Sequence, residues 1–438
     1  MTQVVVVGAG VAGLTAGCVL AQAGMKVTVV EKESAVGGLA RTFRYGPFWF
    51  DIGPKRFHTD DGHVLAFLKS VLGDDILTIP RSSGVYIYGR YHPWPLRPMS
   101  LFKLPLPVML HAGLDLFRRP EATNQSLKDY VVSRYGATLY RIFFEPYTEK
   151  FLKLSPQAVH ADWAQAGVDR SIIDPRIKME SLLDVARTTL LPRAVQTYFL
   201  YPASGGIDTF AQRLAQGIQA SGGRVILNAQ VSRLALSAES IAQVELENGE
   251  ELAADLVVWT APLPLLCPLL GLPPSDLRYL STVFYNLEVE GMVQHPYQWC
   301  YFGQADTTFV RTSIPAAFNP KAAPPGQTGL CAEVTCFAGD EVWRRPETLT
   351  EALLIDLVKV GQIRRREQVQ AVHIERVANT YPVYELHYRE RVDKVITQCR
   401  RIENLHLLGR CATFWYNNMD HSIRAALNLC WELAPRRF

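Results

Sequence analysis

Length and composition limit what this chain can be. Its 438 residues exceed one compact core and fit two domains, while 48% hydrophobic and 20% charged residues are ordinary for a globular enzyme. A net charge of +3 argues against a large nucleic-acid-binding surface. The eight cysteines have no CxxC pair and no metal-ligand spacing, so they predict reduced thiols, no metal site and a cytoplasmic protein. The sequence contains no run of eighteen apolar residues, so we expect no membrane-spanning helix.

The chain begins with a strand–glycine–helix pattern that is typical of dinucleotide binding. Gln3 to Val7 is a short β-branched run, and Gly8, Gly10 and Gly13 follow it before a helix rich in Ala and Leu. The three glycines permit, in turn, a tight turn, a close approach of the backbone to a pyrophosphate, and close packing of helix on strand. Glu31 ends the next strand, where a carboxylate can accept ribose hydroxyls. The pattern predicts a bound dinucleotide; a glycine turn in an α/β core is the alternative.

The residues after this acid favour flavin over nicotinamide. They include Lys32, the doublet Gly37-Gly38, Leu39 and Arg41. This stretch resembles the extended fingerprint of the FAD-binding superfamily of monoamine oxidases, protoporphyrinogen oxidases and phytoene desaturases. The resemblance implies that backbone amides of the doublet reach the cofactor, that the arginine lies near its phosphates or flavin, and that the neighbouring residues share this contact. We therefore predict FAD as the cofactor.

One segment, residues 104–117, leaves contact with a membrane open. It is apolar and is flanked by Lys103 and by Arg118-Arg119, as an interfacial helix would be. We interpret it as a buried helix of the substrate domain that begins after Pro107. Peripheral membrane contact is the alternative interpretation, and it would make the protein membrane-associated.

The nucleotide-binding fold does not close within the first hundred residues, so later segments must complete it. A glycine turn and helix precede a strand from Arg224 to Val231, a hairpin that turns at Asn248-Gly249, and a further buried strand. A last strand and a helix from Ser422 to Trp431 end the chain. The predicted fold is α/β, with a Rossmann-like (GR2-type) FAD-binding domain interleaved with an α+β substrate domain. The FAD-binding domain takes residues 1–80, 205–262 and 395–438, and the substrate domain takes 81–204 and 263–394.

Three further segments resemble the UDP-galactopyranose mutases, a branch of this superfamily. Residues 50–59 end in the Phe-His-Thr of that family's histidine loop, and residues 145–150 contain its Tyr-Thr-Glu-Lys helix. Residues 409–421 resemble its C-terminal flavin loop. The resemblance extends thinly along the whole chain with the domains interleaved in the same order. The chain is therefore identified as a mutase-like member of the FAD-dependent oxidoreductases.

The resemblance implies where the later site residues lie. Lys55 and His58 would lie over the flavin ring, where a cation can stabilise reduced flavin; a structural, hydrogen-bonded His58 is the alternative. The last helix would direct its N-terminal amides at the flavin, although Asp420 could be only its cap. The further residues expected to contact FAD are Gly53, Pro54, Lys55, Val231 (at the adenine), Gly409, Arg410, Asn418, Met419 and Asp420. The expected catalytic residues are His58, Arg311, Tyr381 and Tyr416.

The departures from the mutases concern the substrate. Those enzymes hold a diphosphate with two arginines, and Arg311 matches one of them. Where the second is expected this chain reads Tyr198 to Tyr201, so an aromatic wall would replace half of the clamp and weaken binding of UDP-sugars. Arg170 or Arg193 could compensate.

Three functions remain open at this stage. The first two act on a small-molecule substrate, and the third has no substrate. The first is an FAD-dependent oxidoreductase that transfers a hydride from an apolar or ring-shaped substrate to flavin N5, which the aromatic wall favours. The second is a mutase-like, non-redox sugar isomerase that uses reduced FAD, which Arg311 and the Phe-His-Thr loop favour. The third is a flavin-binding assembly protein without turnover. Nothing in the sequence indicates a nucleic-acid partner.

Overall fold

The structure, a computed structural model, describes residues 1–94, 105–115, 123, 125–164, 197–295 and 297–435. Its strands are β1 Gln3–Val7, β2 Lys26–Val30, β3 Thr42–Tyr45, β4 Phe48–Asp51, β5 Ile76–Pro80, β6 Ser83–Ile87, β7 Arg90–Pro93, β8 Tyr198–Pro202, β9 Arg224–Ile226, β10 Val231–Ser237, β11 Ser240–Leu246, β12 Glu251–Ala253, β13 Leu256–Trp259, β14 Tyr279–Glu290, β15 Trp299–Phe302, β16 Arg311–Ser313, β17 Gln327–Cys336, β18 Val369–Pro382 and β19 Leu405–Leu407.

The helices of the described residues are α1 Val11–Gln22, α2 Gly62–Leu72, α3 Leu106–Asp115, α4 Leu127–Tyr135, α5 Ala137–Leu139, α6 Glu145–Leu152, α7 Asp208–Ala220, α8 Leu263–Leu269, α9 Glu341–Arg344, α10 Thr350–Lys359, α11 Tyr388–Cys399, α12 Gly409–Ala412 and α13 Met419–Leu433. A π-helical turn, Tyr140–Phe144, joins α5 to α6. None of the helices in the described ranges is long and apolar enough to cross a membrane.

A five-stranded parallel sheet carries the nucleotide-binding loop. Its strand order is β19-β13-β1-β2-β9, and Val4 to Val7 of the central strand are buried on both faces. Val4 and Val6 pack in the core with helices α1, α7 and α13, whereas Val5 and Val7 pack in the core with the β10–β12 meander. Both faces are therefore covered, which explains a β-branched run with no polar alternation. The predicted α/β, Rossmann-like fold is confirmed.

The strand predicted from Arg224 to Val231 is wrong as a single element. The chain forms β9, breaks, and begins β10 at Val231, because Asn228 takes a left-handed conformation with φ of 52° that a strand cannot continue. The hairpin that follows turns at Asn248-Gly249 as predicted, and Gly249 has the positive φ that this turn requires.

A seven-stranded mixed sheet forms the second layer of the molecule. Its order is β18-β14-β17-β16-β15-β6-β7, and its strands come from residues 83–93 and 279–382. The antiparallel register of β16 on β17 places Arg311 opposite Glu333. This pairing sets two opposite charges side by side on neighbouring strands.

Helix α3 differs from its predicted environment. The helix forms within residues 104–117, but only Ala112 of its described side chains is buried. Leu106, Leu110 and Leu114 are 62%, 57% and 51% exposed, and their i, i+4, i+8 spacing sets them along one face. The prediction of a buried helix is therefore wrong for this face. Residues 104, 116 and 117 lie outside the described part of the chain.

Candidate functional site

The three glycines of the first loop meet three different environments. A Cβ on Gly8, where φ is 105°, would lie 2.3 Å from Thr260 Oγ1, and a Cβ on Gly13 would lie 2.1 Å from the carbonyl oxygen of Gly8. A Cβ on Gly10 would meet nothing within 4 Å. Gly8 and Gly13 are therefore required by the fold, whereas Gly10 borders open space at the start of α1. That space is where a pyrophosphate would approach the helix N-terminus.

Glu31, at the end of β2, is hydrogen-bonded to this loop. Its Oε2 accepts the Ala9 amide at 2.8 Å and its Oε1 accepts the Glu33 amide at 3.0 Å. The carboxylate is buried beside the glycines. Lys32 instead lies at the surface in an ion pair with Glu33 at 3.5 Å. Val231 begins β10, and its side chain packs in the core that holds the other face of β1.

The glycine doublet closes over the first loop. Gly37 pairs with Gly10 in a β-bridge, and its amide donates to the Ala9 carbonyl at 2.7 Å. Gly38 lies so close that a Cβ on it would be 3.0 Å from the Gly10 Cα. The guanidinium of Arg41 donates to Glu33 at 3.1 Å, but its buried Nε has no hydrogen-bond partner among the described residues.

These residues fit FAD. An orphaned arginine Nε beside two glycine turns is a donor that a phosphate oxygen would satisfy, and buried donors without partners are rare in folded proteins. Leu39 continues the same turn, a short 3₁₀ helix over Gly38–Ala40. The open side of Gly10, the doublet and Arg41 together form a cradle for a diphosphate-linked cofactor.

The histidine loop lines a cavity next to this cradle. Gly53 has a φ of 69°, and a Cβ on it would lie 3.0 Å from Arg311 Nη2, so the loop touches the seven-stranded sheet directly. Pro54, Lys55 and His58 line the cavity. Burial lowers the pKa of His58 below its usual value, so its imidazole is neutral near pH 7.

Arg311 and Tyr381 form the opposite wall. Arg311 donates from Nε and Nη2 to the two oxygens of Glu333 at 2.6 and 2.5 Å, and from Nη2 to the Tyr381 hydroxyl at 3.2 Å. Glu333 is only 1% exposed, so the pair is buried and the carboxylate is fully engaged. Burial raises the pKa of Tyr381 to about 12, so its hydroxyl stays protonated.

The C-terminal loop supplies the third wall. Gly409 turns with φ of 82°, and the Arg410 guanidinium donates to the carbonyls of Thr380 and Asn417. That guanidinium lies 4.7 Å from the centre of the Tyr416 ring. Backbone carbonyls orient this arginine without neutralising it, which leaves its charge directed at the cavity.

The last helix begins earlier than predicted. It starts at Met419, so Met419 and Asp420 belong to its first turn instead of preceding it, and the Asn418 side chain makes no capping bond. Asn418, Met419 and Asp420 all line the cavity. The start of the last helix thus lines the same cavity as the histidine loop.

The aromatic wall that the sequence predicted lies in the core. The Phe199 and Tyr201 side chains have no exposed surface; Tyr201 donates to Asp51 at 2.6 Å, and Phe199 packs under the Arg56 guanidinium at 5.1 Å. The prediction that they form a substrate wall is wrong.

In the Tyr-Thr-Glu-Lys helix, Lys150 donates to the Gln304 carbonyl at 2.8 Å, and burial lowers its pKa to about 7. It holds the loop between β15 and β16 of the seven-stranded sheet and does not line the cavity. Arg170 and Arg193 lie outside the described residues.

Sequence reasoning missed Arg56 and Glu333. Arg56 lines the cavity, and its guanidinium lies 5.1 and 4.8 Å from the ring centres of Phe199 and Trp299. The signal for Glu333 is its isolation, because it is the one charged residue in the ten-residue apolar strand β17. A lone buried carboxylate in such a strand needs a cationic partner.

Comparisons with known proteins agree with this architecture. The sequence model of the family described as flavin containing amine oxidoreductase matches residues 11–433, so the chain belongs to that family. FAD is its cofactor. A 4,4'-diapophytoene desaturase (4,4'-diapolycopene-forming) from Methylomonas sp is 24% identical over 354 residues, which are 70% of this chain and 65% of that protein. An L-amino-acid oxidase from Crotalus adamanteus is 46% identical over 67 residues, which are 15% and 13% of the two chains. The chain thus spans less than two thirds of the length of either relative.

Solved structures share the fold. Reduced UDP-galactopyranose mutase superposes with a TM-score of 0.84 at 19% identity, over 99% of this chain and 96% of that one. Putrescine oxidase bound to putrescine superposes with a TM-score of 0.63 at 16% identity, over 99% of each chain. One architecture thus occurs in an isomerase and in an oxidase, and the fold does not choose between these reactions.

Proposed function

We propose that the protein is an FAD-dependent oxidoreductase whose substrate carries an anionic group, a carboxylate or a phosphate. The observation behind this proposal is the charge of the cavity lining. Lys55, Arg56, Arg311 and Arg410 line it, and Asp420 is the one carboxylate among the described lining residues. Glu333 lies behind the lining and pairs with Arg311. Cations in a partly buried space are costly unless an anion compensates them.

This substrate class replaces the apolar one predicted from the sequence. That prediction depended on an aromatic wall at Tyr198 to Tyr201, and Phe199 and Tyr201 are core residues. The aromatic residues that do line the cavity are Tyr381 and Tyr416. One lies beside Arg311 and the other under Arg410, so each ring accompanies a cation instead of forming an apolar surface.

The chemistry divides between cofactor and chain. Bound FAD supplies the hydride acceptor. Lys55, Arg56 and Arg410 would hold the anionic group and fix the orientation of the bond that reacts. His58 lines the same cavity as a neutral imidazole, so it is the candidate to accept a substrate proton.

A mutase-like isomerase is the second candidate. Arg311, Tyr381 and Tyr416, three residues that match the mutases, meet in one cavity, which supports it. The bond of Arg311 to both oxygens of Glu333 argues against it, because two of its donors and its charge are already engaged. A diphosphate would have to compete with that carboxylate or use the remaining donors.

An anaerobic experiment separates the candidates. The oxidised protein is mixed with hydroxy acids, amino acids and phosphorylated alcohols while the visible flavin absorbance is followed. Bleaching of the flavin by one member of this panel supports the oxidoreductase. The Arg410→Met variant should lose this bleaching, whereas Lys69→Gln, a control at an exposed site, should keep it. Conversion of UDP-galactopyranose to its furanose form by the reduced protein, with no bleaching by any acid, would favour the isomerase instead.

We further propose that the protein contacts an anionic membrane surface through helix α3. The exposed face of Leu106, Leu110 and Leu114 supports this proposal, together with basic residues in the flanking sequence at Lys103 and Arg118-Arg119. Three large apolar side chains in a row on one helix face are more than the scattered exposed leucines of an ordinary surface.

A further inference from the structure

Lys55 differs from the other cations of the cavity because its side chain has no hydrogen-bond or ion-pair partner among the described residues, whereas Arg56 donates to the Pro54 carbonyl at 3.0 Å. Arg311 takes both oxygens of Glu333, and Arg410 has two backbone carbonyls as partners. Lys55 Nζ has neither a hydrogen bond nor an ion pair within the described part of the chain, although its own backbone amide donates to Gly53 at 2.8 Å. An ammonium here would add an unpaired positive charge to three guanidiniums.

Most of the groups around Lys55 disfavour its charged amine. Burial is the main cause that lowers the pKa of Lys55 well below its usual range, and Arg410 and Arg311 lower it further. Glu333 opposes them from behind Arg311. The titratable and charged groups that line the cavity are Arg56 and His58 of the same loop, Arg311 and Tyr381 of the sheet, Arg410 and Tyr416 of the C-terminal loop, and Asp420 of the last helix, and Glu333 lies behind Arg311.

We propose that Lys55 is the anion-responsive residue of this site, neutral in the empty cavity and protonated when an oxyanion of the substrate binds. The Nζ lone pair takes one proton from solvent, and the resulting ammonium pairs with the carboxylate or phosphate oxygen. No other bond forms or breaks. This inference depends on the proposed function and deepens it, because it names the residue that recognises the anionic group and a proton that accompanies binding.

The other groups of the cavity do not supply this proton site. Arg56, Arg311 and Arg410 are guanidiniums that stay charged throughout the range in which proteins fold. Tyr381 keeps its proton up to a pKa of about 12. His58 is the one competitor, since its neutral imidazole could also gain a proton, and a variant must separate it from Lys55.

Calorimetric titration of the oxidised holoprotein tests the inference. The probes are oxalate, a dicarboxylate, and sulfate, a tetrahedral oxyanion like phosphate; neither changes its own protonation near neutral pH. Binding constants are measured at pH 7 and pH 8, and the heats in two buffers of different ionisation enthalpy give the protons taken up. We expect uptake approaching one proton and a binding constant roughly tenfold weaker at the higher pH, as linkage requires for one proton. The tighter of the two anions indicates the class of substrate group.

Variants assign the proton to its residue. Lys55→Gln should bind the anion more weakly and with no pH dependence, whereas Lys55→Arg should bind it without pH dependence because arginine is always charged. His58→Gln and the exposed control Lys69→Gln should keep the pH dependence of the natural protein. Loss of that dependence in His58→Gln, or its persistence in Lys55→Gln, would overturn the assignment to Lys55. Anion binding that is independent of pH in the natural protein would also overturn it, yet would leave the proposed function standing. Failure of both anions to bind at tens of millimolar would refute the inference about Lys55 and the proposed function together.

Discussion

Gly10 and Gly13 lie three residues apart in one loop. The space beside each glycine predicts that replacement by Ala affects stability at one position and FAD affinity at the other. Gly13→Ala places a methyl 2.1 Å from a backbone oxygen, so it should destabilise the flavin-free protein by about 1–3 kcal/mol through overpacking. Gly10→Ala meets nothing, and its φ of −76° suits alanine, so the flavin-free fold should keep its stability. FAD affinity should fall about tenfold or more, since the methyl occupies the approach of the pyrophosphate. Thermal unfolding without FAD and flavin titration measure the two effects. Full flavin affinity in Gly10→Ala would contradict the assignment of this loop.

Asp51 predicts a pH dependence of stability. It is buried at the end of β4 and accepts hydrogen bonds from the hydroxyls of Tyr201 and Thr42 and from the Ile207 amide. Burial raises its pKa from 3.8 to about 6, so the folded protein keeps a proton that the unfolded chain loses. This contribution to stability is complete below about pH 4 and is lost as the pH rises through about 6, a change of roughly 3 kcal/mol.

The measurement is denaturant unfolding of the natural protein and Asp51→Asn from pH 4 to 7. The stability of the natural protein relative to the variant should fall across this range, because only the natural protein has a carboxyl that ionises there. Asp74→Asn, at an exposed site in the same region, should run parallel to the natural protein. A constant difference between the natural protein and Asp51→Asn would show that Asp51 does not titrate as its burial requires.

At the scale of elements, the exposed face of α3 predicts binding to lipid. The natural protein should sediment with anionic liposomes, and more weakly as salt screens the basic flanks. Replacing Leu106, Leu110 and Leu114 together by Gln should reduce binding by tenfold or more, because about half of each side chain is exposed and available for burial in the bilayer.

The matched control removes a similar amount of exposed apolar surface elsewhere. Leu236, Leu265 and Ile355 are 49%, 50% and 54% exposed on other elements, and their replacement by Gln should leave liposome binding unchanged. Equal loss in both triple variants would mean that the contact is not specific to α3. Absence of the natural protein from every liposome pellet would refute the membrane contact.

The elements that could be predicted from sequence are those whose local pattern and tertiary environment agree. The run Gln3 to Val7 gave a central parallel strand because burial on both faces leaves no polar alternation. The break at Asn228 was missed because a single left-handed residue leaves little trace in an otherwise β-like stretch. The exposure of α3 was missed because an apolar run in the sequence indicates a surface that favours burial but does not show what covers that surface.

The candidate site, like the fold, could be predicted from the sequence only in part. The glycines at fixed spacing form the tight turn and the close approach that their spacing predicts, since a positive φ or a close approach restricts the residue type locally. The charge of the cavity was missed, because it arises where β16, the histidine loop and the C-terminal loop meet across more than 350 residues. No local pattern reports that Glu333 engages Arg311 and leaves Lys55 without a partner.

At the scale of the whole molecule, the flavin site is assembled from segments that are distant in sequence. The cradle uses residues 8–41, and the cavity beside it uses residues 54–58, Arg311, Tyr381 and residues 410–420. The Gly53 turn touches the Arg311–Glu333 pair, so the nucleotide-binding layer and the seven-stranded sheet meet at the cavity itself. A ligand that binds only this folded arrangement stabilises all of its parts together.

Removal of FAD should therefore lower the thermal stability of the chain as one unit. The flavin is stripped with a chaotropic salt, and unfolding is followed by calorimetry before and after FAD is restored. FAD at a hundred times its Kd stabilises the folded state by about 2.7 kcal/mol, which corresponds to a Tm shift of a few degrees for a chain of this size. We expect one transition that moves down on stripping and returns with FAD. Two transitions, of which only one responds to FAD, would show that the two sheets unfold independently and that their contact at Gly53 contributes little to stability.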